Sequence, residues 1–326
     1  MSFLSDLTPI NFQEEKARFF EDQTYNPQFK YNVEIPEKKL SQYGMPKLEL
    51  VHLAEEILKK AYFGRNQLDL EMLEGPELTQ QQVSEVITAF LEMHDLQDRY
   101  QQVWSSSFVA RTTISSDTIK LRLPVAFRKE GLRGMIYHEI GTHALRRINY
   151  EAQPWLNKKK EYGFGSYLTT EEGLASLHSL LPKSFKLAYI PALRYLGVYT
   201  AQTSSFVELW KVISKYIQDP DQRWRVAVRQ KRGQKDTSQP GGYNKDQVYF
   251  EGMTLIWKWL HANNFDCTNL YYGKLAMEDV PTAITLNPDY IPILPSFYVT
   301  NPEQYAKKMI EIGQENGFDQ FATSEL

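Results

Sequence analysis

At 326 residues the chain is long enough for one large or two ordinary domains, and 42% hydrophobic with 24% charged residues is the balance of a protein that buries a core. A formal net charge of −3 excludes a global attraction to nucleic acid, and no uninterrupted apolar run approaches the ~20 residues of a membrane span. The single cysteine, Cys267, excludes an intrachain disulfide and points to a reducing compartment, the cytoplasm.

The start, Met1-Ser2-Phe3-Leu4-Ser5-Asp6, lacks the basic region and apolar run of a signal peptide, so no secretory leader is expected there. Residues 1–45 are polar and aromatic and are interrupted by Pro9, Pro27 and Pro36. This predicts a strap lying across a main domain that occupies 46–326. Pro46 opens a helix whose stripe is Leu50, Leu53, Ile57, Leu58 and Ala61, with Gly64 at the position just past its end. A second helix begins at the capping box Thr79-Gln80-Gln81-Gln82 and carries Val83, Val86, Ile87, Phe90 and Leu91 on one face. Phe108 to Ile114 and Thr118 to Leu123 read as strands joined by a turn at Ser115-Ser116-Asp117, with Ile119, Leu121 and Leu123 on one side. Such a strand has two readings: an edge that holds an extended peptide by backbone hydrogen bonds, or a hairpin that covers the core. Helices with one small sheet make an α+β, predominantly helical fold.

Glu130 to Tyr150 reads as a helix and contains Tyr137-His138-Glu139-Ile140-Gly141-Thr142-His143. Two imidazoles and a carboxylate, with one coordination position left open, form a common protein contribution to a catalytic zinc. Glu139, beside the first histidine, is what a hydrolytic zinc site needs as general base for its bound water. The spacing is unusual. Histidines at i and i+5 stand roughly 140° apart on an ideal helix, too far round to share one ion. A single π-turn brings them together, and Gly141 lowers the cost of that distortion. The alternative is an ordinary amphipathic helix whose two histidines are satisfied by backbone or water.

A loop containing Pro154, Trp155, Lys158-Lys159-Lys160, Gly163 and Gly165 leads to a helix that starts near Thr169 or Thr170, opening Thr170-Glu171-Glu172-Gly173-Leu174-Ala175. The pair Glu171-Glu172 supplies a carboxylate that would complete a zinc set with His138 and His143, but Thr169-x-x-Glu172 also spells a capping box. His178 falls on a different face and reads as structural. Ser205-Phe206-Val207-Glu208 caps a helix ending before Pro220. Six positive groups then follow between Arg223 and Lys235 (Arg223, Arg225, Arg229, Lys231, Arg232 and Lys235), next to a glycine loop. The run is a solvated face or an anion-recognition surface. A further helix starts at Asp246, and residues 263–326 carry one short helix near Pro302 to Asn316. Cys267 reads as a packing residue.

Three stretches together carry a resemblance: His138 to His143, Glu171-Glu172-Gly173-Leu174-Ala175, and Lys231-Arg232-Gly233-Gln234 through Lys245-Asp246-Gln247-Val248-Tyr249 to Gly252. In this order they closely resemble the microtubule-associated tyrosine carboxypeptidases, a family with bacterial relatives marked by a Gln-Glu-Gly-Leu-Ala motif. The likeness runs from about Phe108 to about Val280. It implies a zincin-like catalytic domain, with the small sheet beside the zinc helix, that removes a C-terminal tyrosine from a peptide tail such as that of α-tubulin. By position, His138, His143 and Glu172 match the zinc ligands and Glu139 the catalytic glutamate. The bacterial motif has glutamine where this chain has Glu171, so the second position is the one that requires a carboxylate. Gly242-Tyr243-Asn244 stands where the microtubule-associated members carry Cys-Phe-Ser, and their long N-terminal extension has no counterpart here.

A carboxypeptidase must recognise a free α-carboxylate, which calls for cations or backbone amides. Arg232 and Lys245, flanking the glycine loop, and Arg229 of the basic run are the candidates. Tyr249 is the candidate hydrogen-bond donor to the tetrahedral oxyanion. The expected reaction is release of a C-terminal tyrosine or phenylalanine from an acidic tail by Glu-assisted attack of zinc-bound water. Two rivals remain at this point: an endopeptidase or aminopeptidase on the same scaffold, and a non-enzymatic binding module with a degenerate metal site.

Overall fold

Residues 3–108 and 110–321 are described by a computed structural model of the chain. They divide into two units, Met1–Leu70 with Ala188–Phe250, and Glu71–Leu187 with Glu251–Leu326.

The first unit is helical. Leu48–Tyr62 packs against Tyr189–Thr203, and the predicted stripe Leu50, Leu53, Ile57, Leu58 and Ala61 is buried along it. Gly64 follows in the left-handed conformation, as its place past the helix end predicts. Ser205 caps the helix Phe206–Ser214 by accepting from the Glu208 amide. The basic run begins inside a further helix, Pro220–Lys231, which Asp219 caps. Its Trp224 lies among Phe19, Phe206 and Trp210, with Phe19 edge-on to Phe206 and Trp210 at centroid distances of 5.1 and 4.9 Å. Aromatic pairs of this kind contribute about 0.5–1.5 kcal/mol each beyond their burial. Residues 1–45 thus supply Phe19 to this core, and Leu7 and Leu40 to a second cluster around Tyr243.

The second unit holds the sheet. Its order is β1 (Gln101–Ser105), β3 (Thr118–Arg122), β2 (Thr112–Ile114), with β1 parallel to β3 and β2 antiparallel to it. Ile119 and Leu121 are fully buried while Lys120 and Arg122 are exposed, the alternation the sequence predicts. Two features differ from expectation. The strand before the turn is confined to Thr112–Ile114, and Val109 of the longer predicted strand lies outside the described residues. β1 was not anticipated, because Gln101-Gln102-Val103-Trp104-Ser105 is exposed or half-buried throughout and its residue types do not alternate between apolar and polar.

The Thr79 capping box forms as predicted, with the Gln82 amide donating to Thr79 Oγ1 at 3.2 Å and the Thr79 amide to Gln82 Oε1 at 2.9 Å. Val86, placed on the apolar face, is instead 37% exposed. The helix Leu168–Leu180 lies across Lys129–His138 and meets Gln247–Ala262 where Gly173 and Gly252 touch. A Cβ on Gly173 would fall 2.2 Å from the Gly252 carbonyl carbon, so neither residue can carry a side chain without parting the helices. This gives a packing reason for a glycine in each of two motifs singled out from the sequence. Pro302–Asn316 forms as expected, capped by Asn301 and closed by left-handed Gly317. Among the described residues, no helix is long and apolar enough to cross a membrane.

Candidate metal centre

The predicted helix is helical from Lys129 to Glu151, but its middle, Glu139–Ala144, is a π-turn. The inserted turn moves backbone groups off the regular ladder, and side chains compensate. Thr142 Oγ1 donates to the Tyr137 carbonyl at 2.8 Å, and the Tyr271 hydroxyl donates to the Gly141 carbonyl at 2.6 Å. Gly141 is required sterically as well, since a Cβ there would fall 2.6 Å from the Phe297 ring. The turn brings His138 Nε2 to 3.1 Å from His143 Nε2. The angular objection to an i, i+5 pair is thereby removed by the distortion the sequence called for.

Glu172 joins them. Its Oε2 lies 3.6 Å from His143 Nε2 and 3.9 Å from His138 Nε2. The capping-box alternative does not form: the helix starts earlier, at Leu168, behind Tyr167, and no side chain caps it. Tetrahedral zinc bonded at about 2.0–2.1 Å separates its ligand atoms by roughly 3.3–3.4 Å. The three measured separations bracket that value, so the donor set fits the ion in chemistry and in spacing. The side chains of His138, His143 and Glu172 are 21%, 15% and 11% exposed, so the point they share is reachable from solvent, as a catalytic rather than a closed structural site requires.

The adjacent Glu171 has a different task. It accepts from His143 Nδ1 at 2.9 Å and from Lys274 Nζ at 2.7 Å, and is paired with Arg146. Burial alone would raise its pKa, but Arg146 and Lys274 outweigh that and hold the carboxylate well below its usual range. Arg146 is fully buried and donates to the Leu270 and Leu275 carbonyls at 2.8 Å each. With Nδ1 engaged by Glu171, the His143 ring is turned so that Nε2 faces the other two donors, the usual arrangement behind a metal-binding histidine. Burial opposes charge on His143, yet Glu171 and Glu172 push its pKa up to about 10. The field that favours a proton there also favours a metal cation in its place. Glu139 has its pKa raised to about 7, chiefly by desolvation, against the opposing charge of His143. Sequence reasoning missed Arg146 and Lys274. The available signal was Arg146 itself, one turn beyond His143 on the same helix face.

The remaining candidates belong to the first unit. Arg229 binds Asp246 through two hydrogen bonds, of 2.5 and 2.9 Å, and Arg232 Nη2 approaches the same carboxylate at 3.4 Å. Asp246 is buried, which would raise its pKa, but the Arg229 guanidinium holds it well below the ordinary range. Tyr249 and Lys245 are half-buried, and the Arg194 guanidinium lies 5.7 Å from the centre of the Tyr249 ring. Of the six positive groups in the basic run, Lys231 is withdrawn into the interior, donating to the carbonyls of Ala201, Ser204 and Gln239 at 3.0, 2.5 and 2.7 Å. Arg223 is also partly engaged, donating to the Ile217 and Gln218 carbonyls. The run is therefore neither a uniform solvated face nor a uniform anion surface. Cys267 is fully buried, as a packing residue should be.

Comparison with known proteins places this geometry in context. A family model described as microtubule-associated tyrosine carboxypeptidase matches residues 19–308. Microtubule-associated tyrosine carboxypeptidase 1 of Homo sapiens is 35% identical over 286 residues, covering 84% of this chain and 60% of that protein. The Mus musculus protein of the same name is likewise 35% identical over 286 residues, and that of Rattus norvegicus 34% over 284. The chain spans 60% of the length of each of these relatives.

Proposed function

Since the chain belongs to the microtubule-associated tyrosine carboxypeptidase family, we propose that it is a zinc-dependent carboxypeptidase that releases a C-terminal tyrosine or phenylalanine from an acidic peptide tail such as that of α-tubulin. The observation that carries this reading is the convergence of His138 Nε2, His143 Nε2 and Glu172 Oε2, with Glu139 beside them. A His-Glu-His helix next to a small sheet supports a zincin-like scaffold, and the relatives' names support a cytoplasmic setting at microtubules.

His138, His143 and Glu172 would hold the zinc. When bound, the ion supplies Lewis acidity, which polarises a carbonyl oxygen and acidifies water. The protein's own part begins with Glu139. A carboxyl group poised near neutral pH is suited to take a proton from water and return it to the leaving amine, because it exchanges protons readily in both directions. Glu171, braced by Arg146 and Lys274, keeps the His143 ring in the orientation that presents Nε2. For the substrate's α-carboxylate we propose Arg232, Lys245 and Arg229. Their support is that Asp246 gathers two guanidinium groups onto one carboxylate and so leaves positive charge in excess. Tyr249 is the proposed hydrogen-bond donor to the developing oxyanion.

Three peptides that differ only at the end test the reading: a free acid ending in tyrosine, its amide, and a free acid ending in alanine. Release of one residue from the first alone, lost on chelation of the metal, is the expected result. Equal cleavage of all three would leave a zinc peptidase without carboxypeptidase specificity.

A further inference from the structure

One of the histidines that the proposed metal set does not use, His178, is fully buried behind the π-turn. Its Nδ1 lies 2.8 Å from Thr142 Oγ1 and its Nε2 lies 3.0 Å from the Tyr305 hydroxyl. Thr142 sits inside the π-turn, immediately before His143, and its hydroxyl also reaches the Tyr137 carbonyl, the residue immediately before His138. We propose that His178 and Tyr305 are positioning residues for the metal centre, acting through Thr142 to fix the π-turn that brings His138 and His143 together.

Across these three contacts the protons admit one order. A carbonyl only accepts, so the single Thr142 proton goes to Tyr137. Thr142 Oγ1 must then accept, which makes His178 the Nδ1–H tautomer. The unprotonated Nε2 in turn accepts from the Tyr305 hydroxyl. A second proton on the ring would leave it facing the tyrosine oxygen as a donor rather than an acceptor. Burial opposes that charge and lowers the His178 pKa to about 3, so the ring stays neutral. The chain of donors therefore runs in one direction, from the helix Pro302–Asn316, through the helix Leu168–Leu180, into the turn between the two ligand histidines.

The consequence lies in the register of the helix. Without an anchor at Thr142, the stretch Glu139–Ala144 can relax to regular α-helical turns, which rotates His143 away from His138. The Tyr271 hydroxyl braces the Gly141 carbonyl and also lies beside the Thr142 side chain, but the carbonyl of Tyr137 is reached by Thr142. The metal-dependent part of this inference rests on the zinc reading above, whereas the proton order does not.

The test uses the full chain. Nitrogen-15 spectra of the imidazoles are expected to show His178 as the Nδ1–H tautomer, with the signal assigned by its loss in His178→Asn; an Nε2–H tautomer overturns the proposed order. Zinc affinity is then measured by chelator competition. Thr142→Val, which removes the hydroxyl at nearly constant shape, is expected to bind zinc about tenfold or more weakly, the scale typical of supporting residues around metal ligands. Thr142→Ser is expected to restore most of the affinity, and Tyr305→Phe to lose a smaller amount in the same direction. A merely structural role would lower the melting temperature of the metal-free protein without changing the affinity of its folded fraction. Native affinity in Thr142→Val overturns the proposal. If that variant does not fold, native affinity in Tyr305→Phe overturns it instead. A wild-type chain that binds no zinc removes the metal reading itself, and the positioning role with it.

Discussion

Two buried charge clusters in this chain are built on opposite plans. Around Asp246, one carboxylate receives Arg229 through two hydrogen bonds and Arg232 through a third, so its charge is matched within its own unit. At the candidate metal centre, Arg146 and Lys274 are engaged by Glu171, while a second carboxylate and two imidazoles converge on a single point. In the first cluster the carboxylate already meets more cation than it can neutralise, whereas the second gains from an added cation. Burying charge is costly unless it is paired, so the two arrangements make different demands on the same fold. Residue composition alone does not separate them, because both are acidic groups among basic ones. What separates them is whether the lone pairs meet hydrogens or meet each other.

The largest effect should come from breaking the second plan. His143→Ala removes one of the three converging donors, and we expect loss of both stoichiometric zinc and turnover, read by metal analysis of the purified protein. Retention of zinc would show that the cation is held elsewhere. Glu139→Gln keeps the size of the side chain and removes its basicity. Turnover should fall on the order of a hundredfold to ten-thousandfold, with fold and zinc retained. A near-native rate would take Glu139 out of the mechanism.

The first plan predicts a loss of a different kind. Asp246→Asn strands two guanidinium groups, one of them partly exposed, and should destabilise the protein by about 3 kcal/mol, the low end for a broken buried pair. Zinc affinity of the folded variant should not change. Its acid sensitivity is fixed in sign. The folded-state pKa of Asp246 lies below the unfolded value, so its contribution is present above about pH 4 and is lost as pH falls through the folded value. Denaturation curves taken from pH 6 downward should therefore flatten in Asp246→Asn relative to wild type. Parallel curves would mean that Asp246 is not the group responsible.

The smallest effect should come from Glu171, the neighbour of Glu172. The bacterial motif made Glu171 look replaceable, but here it accepts from His143 and balances Arg146 and Lys274. Glu171→Gln keeps one acceptor for His143 Nδ1 and removes the countercharge, so zinc affinity should fall about tenfold. Glu172→Gln should cost far more, since it weakens a ligand directly. Equal losses in chelator competition would erase the distinction between ligand and support.

These cases also show where the sequence is informative. The convergence of His138 and His143 was legible because it lies within local helical geometry: an i, i+5 pair demanded a π-turn and Gly141 allowed one, whereas Glu172, on another helix, came from its motif and the resemblance. The helix Leu48–Tyr62 and the strand Thr118–Arg122 were legible for the same reason, since periodicity is a local signal. The supports were not. Lys274 reaches Glu171 across 103 positions of chain and Tyr305 reaches His178 across 127, and no spacing rule links residues so far apart. The parallel strand Gln101–Ser105 was missed because neither face is buried enough to impress a pattern on its residues.

The central claim is that His138, His143 and Glu172 share one zinc ion, and anomalous diffraction at the zinc edge from crystals of the full chain tests it most directly. One peak is expected about 2.0–2.1 Å from His138 Nε2, from His143 Nε2 and from Glu172 Oε2. No peak at that point, or a peak bound by other side chains, would contradict it.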